Sequence, residues 1–224
     1  MLLGHYYYYF QSALSEKFCN EIVEYGKKHT LNPALTFIDD TDPNSGLDFK
    51  INQNQLTKDE KKFVEFKRKS NIAWLDDVWI YKEIRPFIEE ANHKANWNFD
   101  WDWTEPAQFT KYDVGQHYGW HADGHHKPYE GKSRGVNELG KIRKLSVTVS
   151  LTDPSEYDGG NLEFSFRNNK DYDTNPGSAI HSCLEIRPKG SIVVFPSFVW
   201  HRVTPVTRGT RYSLVLWNLG YPFR

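Results

Sequence analysis

Arg143-Lys-Leu-Ser-Val-Thr-Val-Ser-Leu-Thr152 alternates apolar and polar residues. Strand side chains repeat every two residues, so Leu145, Val147, Val149 and Leu151 share one side of an extended strand. Ser146, Thr148 and Ser150 share the other. The apolar side suits a core. The second side carries only small hydroxyls, which fits a strand whose back lines a wet cavity. Shorter strand patterns surround this one. Asp113-Val-Gly115 and Asp158-Gly-Gly160 are turn signals. Ile192 to Phe195 is a short apolar strand entered through Pro188-Lys-Gly190, and Thr210 to Trp217 is another, with Arg211 and Ser213 on the same side. Several short strands separated by turns predict a jelly roll or barrel.

Just upstream of the alternating stretch lies His117-Tyr-Gly-Trp-His121-Ala-Asp123-Gly. Residues i and i+2 of a strand point the same way, so His121 and Asp123 converge on one point. A third ligand is available far downstream, in Ser197-Phe-Val-Trp-His201-Arg-Val. Two histidines and one carboxylate leave adjacent positions of a metal open, the facial arrangement of non-haem Fe(II) oxygenases. Thr210-Arg211-Tyr-Ser213 follows His201 closely. An arginine fixed near the metal holds a dicarboxylate through its planar fork. Together these residues describe a site for Fe(II) and 2-oxoglutarate.

In these motifs the chain resembles the Fe(II)/2-oxoglutarate-dependent dioxygenases, specifically the prolyl 4-hydroxylase-like branch and its PKHD-type hydroxylases. The segments that carry the resemblance are Gln108-Phe-Thr-Lys-Tyr112 through Asp123, Arg143 to Leu151, Tyr157-Asp-Gly-Gly160-Asn-Leu-Glu-Phe164, and Gly190 through His201 to Arg211. A weaker match is Arg68-Lys-Ser-Asn-Ile-Ala-Trp-Leu75. The resemblance implies a distorted double-stranded β-helix, mainly β, with N-terminal helices bracing one sheet. It implies His121, Asp123 and His201 as iron ligands and Arg211 as the partner of the distal carboxylate of 2-oxoglutarate. Ser213 would add a hydrogen bond there, and Tyr112 would line the cosubstrate pocket. It also implies decarboxylation to succinate, hydroxylation of a C–H bond, and ascorbate as the reductant that restores iron. Many prolyl hydroxylases carry a tyrosine where this chain has Ser150, so the cosubstrate contacts depart from the pattern there.

The expected substrate is a prolyl or other residue in a protein or peptide. A free amino acid or small metabolite is the second reading, and a metal-binding jelly-roll module without turnover the third. Arg211 argues against the third, because a mere metal binder needs no carboxylate clamp. Residues 124–140 hold several glycines and few apolar residues, which predicts a loop that orders as a lid over an extended peptide. His117, His125 and His126 are read as loop histidines without a tetrahedral set. Trp120 and Trp200, each next to a ligand histidine, are expected to point away and pack.

With 224 residues the chain suits one domain, with residues 1–105 as support and outer strands and 106–224 as the catalytic core. A net charge of −1 gives no electrostatic case for nucleic acid or an anionic membrane. Cys19 and Cys183 are the only cysteines, form no zinc pattern, and suit a reducing cytoplasm. No apolar run reaches membrane-spanning length, and the first residues lack the features of a signal peptide. Oligomeric state is open.

The first half reads as follows. Tyr6-Tyr-Tyr-Tyr-Phe10 predicts an outer strand. Ser15 caps a helix running to about Lys28, with Glu16 in its first turn. Residues 39–57 predict a surface loop, and Lys58 to Lys69 a solvated face or short helix. Asp76 and Asp77 open a longer helix with Trp79, Ile80, Ile84, Phe87 and Ile88 at helical spacing. Pro86 predicts a kink or a break in it. Trp97 to Trp103 predicts a strand.

Overall fold

The structure is a computed structural model that describes residues 6–34, 58–125, 127–131, 135–166 and 179–223. In chain order its elements begin with β1 (Tyr8–Phe10), α1 (Glu16–Lys28), β2 (Asn32–Pro33), α2 (Lys58–Lys67), β3 (Arg68–Lys69), β4 (Asn71–Leu75) and α3 (Val78–Lys94). There follow β5 (Trp103–Thr104), β6 (Ala107–Tyr112), β7 (His117–His121), β8 (Ile142–Ser150), β9 (Tyr157–Gly159) and β10 (Leu162–Ser165). The last are β11 (Ile180–Ser182), β12 (Ile192–Pro196), β13 (His201–Val203), β14 (Val206–Gly209) and β15 (Arg211–Gly220).

Two sheets face each other. The major sheet runs β1-β12-β8-β15-β6-β4-β2, with β5 added to β15, and the minor sheet runs β11-β10-β13-β7-β3. A third pair, β14-β9, lies apart from both. Neighbouring strands are antiparallel in both sheets. This is the expected mainly β jelly roll. The alternation of β8 explains how the layers divide. Leu145, Val147, Val149 and Leu151 join Leu214, Leu216 and Phe109 in a buried cluster with Phe18, Ile22, Ile80, Ile84 and Ile88 of the two long helices. Ser146, Thr148 and Ser150, also buried, lie on the other face, toward the minor sheet. A second apolar cluster, including Phe164, Val193, Phe195 and Val203, fills part of the space between the sheets.

The helices behave as their sequences require. The Ser15 hydroxyl accepts the Phe18 N–H, Glu16 sits in the positive first turn, and Lys27 and Lys28 close the last. Gly26 is placed where α1 meets the sheet: a Cβ there would stand 2.5 Å from the Phe109 ring. The helix α3 runs unbroken through Pro86, so the expected break into two helices does not occur. Pro86 is exposed, and so is Lys82, whose carbonyl loses its helical partner at that proline. The buried stripe Ile80, Ile84, Ile88 and Ala91 holds both halves of α3 to the sheet.

Two further expectations are met and one is corrected. Tyr8 to Phe10 forms an edge strand on β12, and the run from Lys58 is a short helix. Residues 97–102 are not a strand; only Trp103 and Thr104 pair with β15. Asn96 and Asn98 take left-handed conformations, with φ of 57° and 51°. The Asn92 side chain bonds both the N–H and the carbonyl of Phe99. Asparagine tolerates that conformation and competes for backbone groups, which outweighs the alternation of aromatic residues. The surface loop expected over residues 39–57 falls outside the described residues.

Candidate metal and cosubstrate site

His121 ends β7 and His201 begins β13, and the two residues are direct cross-strand partners. Asp123 follows His121 by two residues, and the Gly124 N–H donates to the Ser197 carbonyl at 2.7 Å. That bond ties the two ligand-bearing segments together. The three side chains therefore meet: His121 Nε2 lies 3.6 Å from Asp123 Oδ1, and His201 Nε2 lies 3.5 Å from Asp123 Oδ2. Neighbouring ligands of one metal, each bound at about 2.1 Å, stand roughly 3 Å apart, so these spacings suit one ion. Among the described residues this is the one cluster of its kind.

The hydrogen bonds fix which nitrogens face the centre. His121 Nδ1 lies 2.8 Å from the Gly119 carbonyl, and His201 Nδ1 lies 3.0 Å from the Val199 carbonyl. A carbonyl only accepts, so each Nδ1 carries the proton and each Nε2 presents a lone pair. Burial, reinforced by the neighbouring His201, drives the pKa of His121 well below that of a free imidazole, so the ring is neutral. Asp123 is 5% exposed. Burial works to raise its carboxyl pKa, but the two imidazoles, Arg143 and a hydrogen bond from Ser146 outweigh it and hold the group ionised. Ser146 in turn lies 2.9 Å from the Ser197 hydroxyl. Since Ser146 donates to Asp123, Ser197 donates to Ser146. The polar face of β8 thus supplies the orienting contact of the carboxylate.

Arg211, the first residue of β15, is 2% exposed and pairs with Tyr112 of β6 across the major sheet. Its guanidinium lies 5.5 Å from the centre of the Tyr112 ring, and Nη1 donates to the Ser213 hydroxyl at 3.3 Å. Among the described residues no carboxylate pairs with it. A buried cation without a counter-ion is costly, and an anionic ligand removes that cost. Gly160, at φ 58°, leaves room for the arginine; a Cβ there would stand 2.9 Å from Arg211 Cδ. The hydroxyl of Ser150 donates to the Ile186 carbonyl at 2.6 Å, which turns it away from any ligand. The departure at this position therefore removes a contact and adds no substitute.

Around this site stand residues that the motifs did not single out. The Tyr118 ring stacks on His121 with centroids 3.5 Å apart, and the Arg68 guanidinium lies 4.4 Å over Tyr118. Arg143 binds Glu105 bidentately, at 2.9 and 2.6 Å, and covers the Trp217 ring at 3.9 Å. Arg68 lay hidden in a charged run that reads as solvated, and only strand pairing with β7 shows that it is buried. Trp120 packs under the guanidinium of Arg202, in keeping with a packing role. His117 bonds the Phe66 carbonyl.

The segment after Asp123 is better anchored than its composition suggests. Tyr129 is 3% exposed, packs on Trp217 and Leu219, and donates to Glu105. Its backbone is clamped by bonds to Lys141 and Gly140. One buried tyrosine does what the many glycines obscure. Residues 132–134 and His126 lie outside the described residues, so the lid expectation rests on the sequence alone.

The model of the 2OG-Fe(II) oxygenase superfamily matches residues 107–218, which contain every residue of this site. The chain belongs to that superfamily. A PKHD-type hydroxylase of Herminiimonas arsenicoxydans is 34% identical over 113 residues, 50% of this chain and 42% of that protein. One of Paracoccus denitrificans is 34% identical over 112 residues, with the same coverage. The match thus spans about two fifths of the length of these curated relatives. Among solved structures, a viral collagen prolyl hydroxylase from Paramecium Bursaria Chlorella virus-1 superposes with a TM-score of 0.59, at 19% identity and 96% coverage of each chain. A Pseudomonas putida prolyl-4-hydroxylase gives 0.59 at 18% identity, covering 96% of this chain and 92% of that one. The solved structures agree in fold. Membership in this oxygenase superfamily implies Fe(II) and 2-oxoglutarate, and the donor set fits both: neutral imidazoles and a carboxylate for a divalent cation, a buried guanidinium for a dicarboxylate.

Proposed function

We propose that the protein hydroxylates a C–H bond of a residue in a protein or peptide, a prolyl residue first among the candidates, using Fe(II), O2 and 2-oxoglutarate. The observation that carries this reading is the pairing of a His-Asp-His cluster at the minor sheet with a buried arginine on the major sheet that meets no carboxylate among the described residues. His121, Asp123 and His201 would hold the iron, which supplies O2 activation coupled to decarboxylation of the cosubstrate. Arg211, helped by Ser213 and the wall formed by Tyr112, would seat the distal carboxylate, so that 2-oxoglutarate lies in a single orientation. Ser146 would hold Asp123 in its ligating rotamer. The facing sheets and their apolar cluster would exclude water from the reacting atoms. Ascorbate would sustain turnover by returning iron to the ferrous state. The hydroxylase names of the curated relatives support the reaction type, and the collagen prolyl hydroxylase that shares this fold is in keeping with a prolyl residue of a polypeptide.

The test is mass spectrometry of peptide and free amino-acid candidates after incubation with Fe(II) and 2-oxoglutarate, with succinate measured in parallel. The expected product is a peptide heavier by one oxygen atom, formed in step with succinate. Oxygen gain by free amino acids alone would move the protein to the small-molecule reading. Iron binding with no succinate from any mixture would make it a binding module.

A further inference from the structure

Among the described residues, Arg211 is not the only buried guanidinium facing the interior without an acid partner. Arg68 is 6% exposed. Its Nε donates to the Ser70 hydroxyl at 2.9 Å and Nη2 to the Gln108 side-chain oxygen at 2.7 Å. Both acceptors are neutral. A guanidinium carries five N–H donors, so part of the fork, including all of Nη1, has no acceptor in these bonds. Among the described residues no carboxylate pairs with Arg68. Arg143, the other arginine of this wall, is neutralised by Glu105.

Position gives this cation a meaning. Arg68 is the register partner of Tyr118, and its guanidinium lies over the same ring that stacks on His121. It therefore sits one aromatic ring away from the metal cluster. On β6 its partner Gln108 is four residues from Tyr112, the partner of Arg211. At 3.3 Å per residue the β6 residues that the two arginines meet stand about 13 Å apart. The charges of a divalent cation, Asp123, dianionic 2-oxoglutarate and Arg211 cancel. Arg68 is left over.

We infer that Arg68 receives a carboxylate of the substrate, next to the carbon that is hydroxylated. This rests on the proposed function and narrows its substrate class to anionic molecules. A carboxylate matches the free edge of the fork, and a single negative charge completes the neutrality of the site. Two sources supply that chemistry: an Asp or Glu side chain flanking the target residue of a peptide, or the α-carboxylate of a free amino acid. Ser70 and Gln108 hold the guanidinium flat against Tyr118, so the charge is pre-positioned and loses little freedom on binding.

The test is anaerobic calorimetry on the Fe(II)-loaded protein, first with 2-oxoglutarate and then with matched probes. The peptide arm compares acetyl-Glu-Pro-amide with acetyl-Gln-Pro-amide. The amino-acid arm compares proline with prolinamide. In one arm the acid should bind about 10–100-fold more tightly than its amide, the range of a charge-assisted hydrogen bond. Arg68→Met should abolish that preference, and Arg68→Lys should restore part of it, since a point charge keeps the attraction without the fork. In both variants 2-oxoglutarate should still bind through Arg211, which also shows that they are folded. Equal affinity of acid and amide in both arms, including no binding of either, overturns the inference. So does an acid preference that survives Arg68→Met. Failure of 2-oxoglutarate to bind the wild-type protein would instead overturn the proposed function.

Discussion

At the scale of single residues, the site is set by what each ligand's far side touches. The Nδ1 protons on the Gly119 and Val199 carbonyls select the tautomers that leave both Nε2 atoms free. Asp123→Ala and His201→Ala should therefore lose Fe(II) in equilibrium dialysis; retention of wild-type iron by both would remove them from the ligand set. Ser146→Ala is a finer probe, because it leaves all three candidate ligands in place and removes the hydrogen bond to Asp123 along with the one shared with Ser197. Loss of such an orienting partner costs about 10–100-fold in metal affinity. An unchanged Fe(II) dissociation constant would show that Ser197 and the chain around Gly124 position Asp123 without it. Of the candidate ligands, His121 and Asp123 could be singled out from sequence because their spacing follows the two-residue period of a strand, whereas the β7–β13 pairing is what brings the distant His201 beside His121. Ser146 was half legible: its face was expected to be wet, but nothing local says that Asp123 would be the group it meets. Arg68 opens a segment that weakly matches the family, but its burial was not legible, since it depends on a strand pairing between residues fifty positions apart.

At the scale of elements, stability resides in the contact between the long helices and the apolar face of the major sheet. Gly26→Ala places a methyl group against the Phe109 ring, an overpacking that should cost about 1–3 kcal/mol in urea unfolding. A neutral result would mean that α1 shifts outward freely. Tyr129→Ala removes the buried anchor of the segment between Asp123 and β8, and deleting a buried aromatic costs about 3–5 kcal/mol when its neighbours do not collapse. It should also speed tryptic cleavage at Lys132 or Arg134; unchanged cleavage would show that Tyr129 does not restrain that part of the chain. The helices and the strand alternation of β8 could be read from the sequence because each depends on local periodicity. The stretch from Trp97 to Trp103 misled because its alternation was real but its asparagines set the backbone. At Pro86 the local rule allowed a kink or a break, and the break does not occur because the sheet beneath α3 holds both halves of the helix.

At the scale of the whole molecule, the proposed function depends on two sheets delivering different groups to one space. The minor sheet brings the metal ligands through β7 and β13, and the major sheet brings Arg211 on β15. Neither set is sufficient alone. Replacing Arg211 by alanine leaves the distal carboxylate of 2-oxoglutarate without its partner and should cost its binding about 2–4 kcal/mol, with only partial recovery by lysine. The most direct test is an anaerobic titration of Fe(II)-loaded protein with 2-oxoglutarate, followed by the weak visible charge-transfer band of the chelated metal. The wild-type protein should develop the band, and Arg211→Ala should keep its iron yet need a far higher concentration to reach the same absorbance. No band in the wild-type protein, or the same midpoint in Arg211→Ala, would contradict the claim that the two sheets build one iron and 2-oxoglutarate site.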